Sequence, residues 1–322
     1  MSTLQFILLM LVLLSTLFAN ESLESIYEHI LIKNTQKAIL ASTQMQSDIK
    51  SDKLEMLAND FAKLVQTFKT IESFYILGDL DDNYLDTPRY MDTFHQGNED
   101  IKVQLDLILN SDEDLSVSLY KNSHKTINAL EYILFKKDLK KQRVKKIALI
   151  IIKNIQVNLD EILLGLKESR DLFVQDEQKT NAIMLNALIE SSYKLKEWRV
   201  GDPAGLSRKY KGKPDEKKSE YFISKNSFVA VQAILNTHLQ VLSQQEFKNF
   251  GSLIKSYELN NELSDALMYL NASLEEAKKI KNDDFSQAEV LYENLKKLHT
   301  TYYISLIGKL KITSKILDAD GD

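Results

Sequence analysis

From Ser22 onward the apolar positions recur at intervals of three and four, the spacing that lines one face of an α-helix. Ile26, Ile30, Ile32 and Ala38 share an apolar side over Ser22 to about Ser47, the first predicted helix. Leu54, Leu57, Phe61, Leu64, Phe68 and Ile71 form the stripe of a second, core-facing helix, which Ser51-Asp52 would cap and which runs to Leu77 with Gly78 as its C′ residue. Asp79 to Gly97 (DLDDNYLDTPRYMDTFHQG) breaks the pattern. A short helix is expected over Asn98–Leu109, one starting at Ser111-Asp112 and carrying Glu131, and a long one over about Leu139–Lys167. The pattern lapses again at Asp171–Val174. It resumes over Glu177–Trp198, and then at about Ser227–Phe247, Ser252–Ile280 and Phe285–Leu317. Roughly four helices per half with short connections predict an all-α chain of two tandem four-helix-bundle domains. The expected division is 20–174, with an acidic loop at 79–97, and 175–322, with an irregular loop at 199–226.

Composition sharpens this picture. Only 9 glycines and 3 prolines occur in 322 residues, too few for the turns of a sandwich or an α/β fold, so long helices are favoured. The net charge of −5 argues against a nucleic-acid protein, which needs a basic stripe. The densest basic run, Lys136 to Lys146, reads as a solvated helix end. Phe6 to Phe18 is almost wholly apolar, too short to span a bilayer comfortably but suited to the core of a secretory signal. Leu17 and Ala19 fit the −3 and −1 cleavage positions, so residues 1–19 are expected to be a signal peptide and the protein periplasmic or otherwise exported, cleaved or kept as an anchor. Cysteine is absent. That excludes a lipoprotein Cys, disulfides and a thiol nucleophile. Ile147–Ile152 is too short for a membrane span.

Two stretches stand out chemically. NSHKTINALEYILF (Asn122–Phe135) reads as an amphipathic helix with a lone carboxylate, Glu131, in an apolar run, and such a charge needs a partner, water or a task. WRVGDPAGLSRKYKGKPDEKKSEYFISKNS (Trp198–Ser227) is the long irregular segment of the second half and holds the sole Trp.

These motifs resemble the imelysin family. SFYILGDLDDNYLDTPRYMDTFHQGNE (Ser73–Glu99) is similar to its N-terminal loop, with Asp92 in the acidic position. NALEYILF (Asn128–Phe135) resembles the end of its G-x-H-x-x-E motif. VGDPAGL with KPDEKKSEYFISKNS (Val200–Ser227) resembles its glycine-proline loop, glutamate and serine pair, and DADGD its usual ending. The resemblance implies two four-helix bundles with a cleft between them and an association with iron uptake and the cell envelope. It also implies Glu220 as a cleft residue. The family's motif was first proposed as the metal site of a peptidase. This chain departs from it, because Thr126 stands in the glycine position and Asn128 in the histidine position.

Residues 128 and 131 share a helical face, but an amide oxygen is a weak neutral ligand and His124 lies two turns from Glu131, so a catalytic transition metal is disfavoured. Glu131 is either a buried structural carboxylate or a ligand-facing one. Asp79, Asp81, Asp82, Asp86 and Asp92 could hold a hard cation such as iron or calcium, or form a solvated turn. Asp92 and His95, three apart, would meet on a helical turn, while His29, His238 and His299 read as ordinary bundle residues. Pro203 between Gly201 and Gly205 predicts a tight turn. Ser224 or Asn226 would cap the helix starting near Ser227, or its N-terminus would take an anionic ligand group.

The reading that results is an exported, non-catalytic protein binding a small ligand or metal species, linked to iron acquisition and envelope iron-uptake partners, without nucleic acid or a membrane span after signal cleavage. The expected site is Asp92, His95, Asn128, Glu131, Glu220, Ser224 and Ser227, with Glu131, Asp92 and His95 as metal ligands. A metallopeptidase and an envelope interaction protein without a small ligand stay open as alternatives.

Overall fold

The computed structural model describes residues 21–96 and 99–315, and these are helices, turns and loops with no strand. The expected signal at 1–19 and the acidic ending Asp318–Asp322 lie outside the described residues. Among those described, no helix is long and apolar enough to cross a membrane.

Four helices of the first half pack as a closed ring. Helix α1 is helical from residue 21, passes through a π turn, Tyr27–Ile32, and continues as Lys33–Lys50. It lies against α2 (Leu57–Glu72) and α5 (Gln142–Glu168), and α4 (Ile127–Lys136) closes the ring against both α5 and α2. The short α3 (Ile101–Asn110) covers α4. In the second half α6 (Glu177–Lys194), extended by a π turn (Leu195–Gly201), packs on α9 (Glu289–Thr300). Helix α9 packs on α8 (Asn260–Lys279), α8 on α7 (Ser227–Leu242), and α7 returns to the π turn. The two groups meet where α7 lies along α2, and one continuous apolar cluster runs through both.

The 3.6-residue period explains the core. Ile151, Ile155, Leu159 and Ile162 of α5 and Phe61, Leu64 and Phe68 of α2 are sealed from solvent. Each such side chain contributes about 1.5–3 kcal/mol of transfer free energy.

Several boundaries differ from the pattern-based expectation. Helix α2 starts at Leu57 because residues 51–56 form turns around Asp52, whose φ is 56°. It stops at Glu72, five residues before Leu77. Gly78 is therefore not its C′ residue: it lies in the turn Leu77–Leu80, where an added Cβ would sit 2.8 Å from the Leu85 Cα, so close backbone approach is what requires glycine there. The helix expected from Ser111-Asp112 is broken into Leu115–Ser118 and a 3-10 turn Asn122–Lys125. Thr126 is extended, and its hydroxyl accepts the Ala129 N–H at 3.3 Å, so a side-chain cap starts α4 at Ile127 and leaves His124 outside the helix. The stretch expected as one helix over Ser252–Ile280 is two, Phe250–Ser256 and α8, with Asn249 capping the first. The last stretch is likewise divided at Ala288 and passes into a π turn at Thr301–Leu306. The basic run is not simply solvated. Lys137 pairs with Asp106 at 2.5 Å, and Arg143 donates to the carbonyls of Ile108 and Glu113.

Candidate functional site

Five charged side chains from four segments converge between the two helix groups. Lys69 and Glu72 come from the last turn of α2, three apart and therefore on one face. Asp92 comes from the acidic segment, Arg199 from the π turn that extends α6, and Glu220 from the second irregular loop. The Lys69 ammonium lies 2.5 Å from Asp92 Oδ2, 2.5 Å from Glu220 Oε1 and 2.7 Å from Glu72 Oε2. Arg199 donates from Nε to Glu220 Oε2 at 2.8 Å and from its terminal nitrogen to Glu72 Oε2 at 2.8 Å. Tyr221 closes one side, with Lys69 Nζ 5.6 Å from its ring centre, and Phe68 another at 5.0 Å.

The local backbone explains how loop residues reach the interior. A π turn inserts an extra residue into the helical ladder and turns the following side chains. Here it carries Trp198 and Arg199. Gly205 ends the Asp202–Ala204 turn at φ 67°, and a Cβ there would lie 2.5 Å from the Pro214 nitrogen. The loop is held by Leu206 N–H donating to the Gly201 carbonyl at 2.8 Å and Asp215 N–H to the Pro203 carbonyl at 2.9 Å. Tyr221 and Lys225 take φ of 56° and 58°, conformations that non-glycine residues adopt at a cost and that cluster at functional segments.

Burial and charge oppose each other throughout the cluster. Burial alone would strip the proton from Lys69, but Asp92, Glu220 and Glu72 outweigh it and hold the ammonium charged. Burial would also raise Asp92 and Glu72, yet the cations keep both below the ordinary carboxylate range. Glu220 goes the other way. Burial, with the Asp92 and Glu72 charges, overcomes Arg199 and Lys69 and pushes it up to about 8. The charge count agrees, since three carboxylates face two cations and one proton balances the set.

The expected site residues separate into distinct environments. Asp92 and Glu220 meet in the cluster. His95, at φ 59°, turns away from Asp92, contacts Asp202 Oδ2 through Nε2 at 3.0 Å and stacks on Trp198 with ring centres 4.6 Å apart. Asp92 and His95 therefore do not share a helical turn. Asn128 Oδ1 accepts the Thr93 N–H at 2.9 Å and its hydroxyl at 3.2 Å. Glu131 Oε1 accepts the Ser224 N–H at 2.8 Å and its hydroxyl at 2.7 Å, and burial raises its pKa against these bonds. Asn128 and Glu131 thus pin the two irregular segments onto α4. The α7 N-terminus is capped by neither Ser224 nor Asn226. The Asp283 carboxylate accepts the N–H groups of Ser227 and Phe228 at 2.8 and 3.1 Å, filling the place expected for an anionic ligand.

The aspartates of the acidic segment are dispersed as well. Asp79 pairs with Lys315, Asp81 accepts from Asn83 N–H and Asp86 pairs with Arg89. The expected metal set of Glu131, Asp92 and His95 does not gather round one point. The carboxylates that do, among the described residues, are Glu72, Asp92 and Glu220. Their shared centre is filled by the Lys69 ammonium, so the residues present do not fit a metal ion. Sequence reasoning missed Lys69, Glu72, Arg199 and Asp202; a lysine directly beside the α2 stripe was the available signal.

A cleft of about 320 Å³ opens beside the cluster, walled by both helix groups. Glu72 and Arg199 form part of its lining, with Arg89, Glu190, Lys194 and Lys315 around them. Glu72 is the cluster member that solvent reaches, at 25% side-chain exposure against 6% or less for the others. The cleft cations are matched, Lys194 by Glu190, Lys315 by Asp79 and Arg89 by Asp86. Ser191 also lines it, and its Oγ lies 2.9 Å from Nε2 of the buried His238. Neither Asn128 nor Glu131 forms part of this wall.

The comparisons with known proteins accord with this architecture. A crystal structure of an imelysin-like protein from Psychrobacter arcticum 273-4 superposes with a TM-score of 0.75 at 15% identity, covering 94% of this chain and 98% of that one. A protein from Parabacteroides distasonis ATCC 8503, described as an iron-regulated protein A precursor, gives a TM-score of 0.70 at 11% identity, covering 91% and 94%. At these identities the likeness is one of fold. No curated relative matches the sequence. The family model for imelysin, which carries the label of peptidase family M75, matches residues 24–302. With most of its length matched by that model, this chain belongs to the imelysin family.

Proposed function

We propose that the protein is an exported binding protein that seats a small polar ligand in the 320 Å³ cleft and does not hydrolyse it. The observation that carries this reading is Glu72. One of its oxygens is committed to Lys69 and Arg199, while the side chain remains open to the cleft. A rigid, charge-balanced wall with one accessible carboxylate suits recognition, because its groups are already oriented before a ligand arrives.

The geometry speaks against the peptidase alternative. A catalytic metal site keeps a coordination position for water or substrate, whereas here an ammonium stands at the carboxylate centre. The Ser191–His238 pair is a poor nucleophilic dyad. Burial pushes His238 down to about 3, and its Nδ1 faces the buried Tyr302 hydroxyl at 3.3 Å rather than a carboxylate. Burial also keeps the Tyr302 phenol protonated, so no negative charge stands behind the ring. The relative described as an iron-regulated protein A precursor supports a link to iron acquisition, with an iron chelate as one candidate cargo.

Native mass spectrometry of the full chain tests this reading against amino acids, dipeptides, dicarboxylates and iron(III) citrate. One class should form a one-to-one complex that Glu190→Trp, which fills the cleft from a half-buried position on its wall, abolishes. Complexes that persist in that variant, no complex with any class, dipeptide turnover, or labelling of Ser191 by a fluorophosphonate would each overturn it.

A further inference from the structure

The cage formed by Glu72, Asp92 and Glu220 has the composition of a hard-cation site. Each residue offers an oxygen, and these oxygens lie within 4.8 Å of one another. The point they surround is taken. Lys69 Nζ donates to Glu72 Oε2 at 2.7 Å and to Asp92 Oδ2 at 2.5 Å, and lies 2.5 Å from Glu220 Oε1 as an ion pair. Lys69 is wholly buried, and the Phe68 and Tyr221 rings stand beside its charged end. A divalent ion needs oxygens at roughly 2.0–2.6 Å, so it would have to occupy the same space as the ammonium.

We propose that Lys69 is the resident cation of this cage, standing where a metal ion would otherwise bind, so that the protein folds and holds its cleft without a metal. Charge supports the assignment. With Arg199 fixed at Glu72 and Glu220, the three carboxylates require two further positive charges for neutrality. Lys69 supplies one and a retained proton the other. Removing the ammonium, with release of the retained proton, leaves a deficit of two charges that a single divalent ion would fill. This inference concerns the floor of the cleft and holds whatever ligand the cleft takes.

The test uses the full chain and reads metal content and thermal midpoint, neither of which depends on the ligand. The wild-type protein should purify without stoichiometric metal, and its midpoint should not move with EDTA or millimolar Mn²⁺. Lys69→Ala should melt roughly 10 °C lower, as expected for an opened buried ion pair. It should recover at least half of that loss in millimolar Mn²⁺ or methylammonium. If the single variant does not accumulate, K69A/D92N, which removes one charge of each sign, should fold where it does not. A chelatable stoichiometric metal in the wild type would overturn the proposal, as would a K69A protein that neither cation restores. A double variant as unstable as the single would do the same.

Discussion

Glu220→Gln tests the proton balance of the buried cluster most directly. In the folded protein Glu220 titrates at about 8, because burial and the neighbouring Asp92 and Glu72 charges disfavour its ionised form. In the unfolded chain a glutamate titrates near ~4.3. Between those values the folded state holds a proton that the unfolded state has released. Stability from this group is therefore complete below the unfolded value and is lost as pH rises through about 8. One proton is worth about 1.4 kcal/mol per pH unit, so raising the pH from ~5.5 to ~7.5 should cost the wild type about 2–3 kcal/mol through Glu220 alone. Glutamine has the shape of the protonated acid and no titration, so Glu220→Gln should lack this slope.

Other groups titrate over part of the same range, but the variant retains them. Burial depresses His238 to about 3 and His299 to about 4, so their contribution is lost as pH falls and opposes that of Glu220. Asp92 and Glu72 are depressed, and their stabilisation is lost only in acid, below the ordinary carboxylate range. The quantity to measure is thus the difference between wild type and variant, from urea unfolding at half-unit steps of pH. The variant should be about 2–3 kcal/mol more favoured relative to wild type at pH 7.5 than at pH 5.5. Parallel pH profiles for the two proteins would refute the argument that the cluster retains a proton on Glu220.

Glu131→Ala should cost about 2–4 kcal/mol by orphaning the Ser224 N–H and hydroxyl, while Glu131→Gln, which keeps one acceptor, should cost less than half as much; hydrogen exchange of residues 219–226 should rise only in the alanine variant. His95→Ala removes the ring stacked on Trp198 and the partner of the buried Asp202, so a loss of about 1–3 kcal/mol and a red-shifted emission from the sole Trp are expected, and an unchanged spectrum would count against the stack. Asp283→Ala uncaps α7 at two N–H groups and should lower stability by about 1–2 kcal/mol in urea unfolding, with Asp283→Asn losing less.

The helices were legible because a helix buried on one side writes its period into the sequence. That was true of Leu57, Phe61, Leu64 and Phe68, and also of Glu131, whose isolation among apolar residues signalled a partner. The partner itself, Ser224, lies 93 positions away and is brought in by a loop with two strained residues, which no spacing encodes. Breaks at 51–56 and 111–126 were missed because helix-compatible residues fill them while caps and neighbours decide the conformation. Lys69 was overlooked for a different reason. Helix α2 is buried on two flanks, by its own bundle and by α7, so a reading tuned to one apolar stripe assigns the second flank to solvent. A lysine on that flank looks like a surface charge until the opposing carboxylates are in place.

The cluster also determines what a ligand in the cleft would act on. Its members belong to α2, the acidic segment, the π turn of α6 and the loop before α7, so every contact except Lys69–Glu72 crosses between separate segments of the chain. Glu72 joins the cleft to all of them, because its Oε2 is shared by Lys69 and Arg199 while the side chain faces solvent. A cationic group arriving at Glu72 would compete with those two for the same carboxylate and favour release of the proton held by Glu220. An anionic group would instead draw on Arg199 and tighten proton retention. Ligand charge should therefore be readable as the sign of proton exchange on binding, measured by calorimetry in buffers of different ionisation enthalpy near pH 7.5, and Glu220→Gln should reduce that exchange to nearly zero. Exchange that survives the substitution would place the titrating group elsewhere.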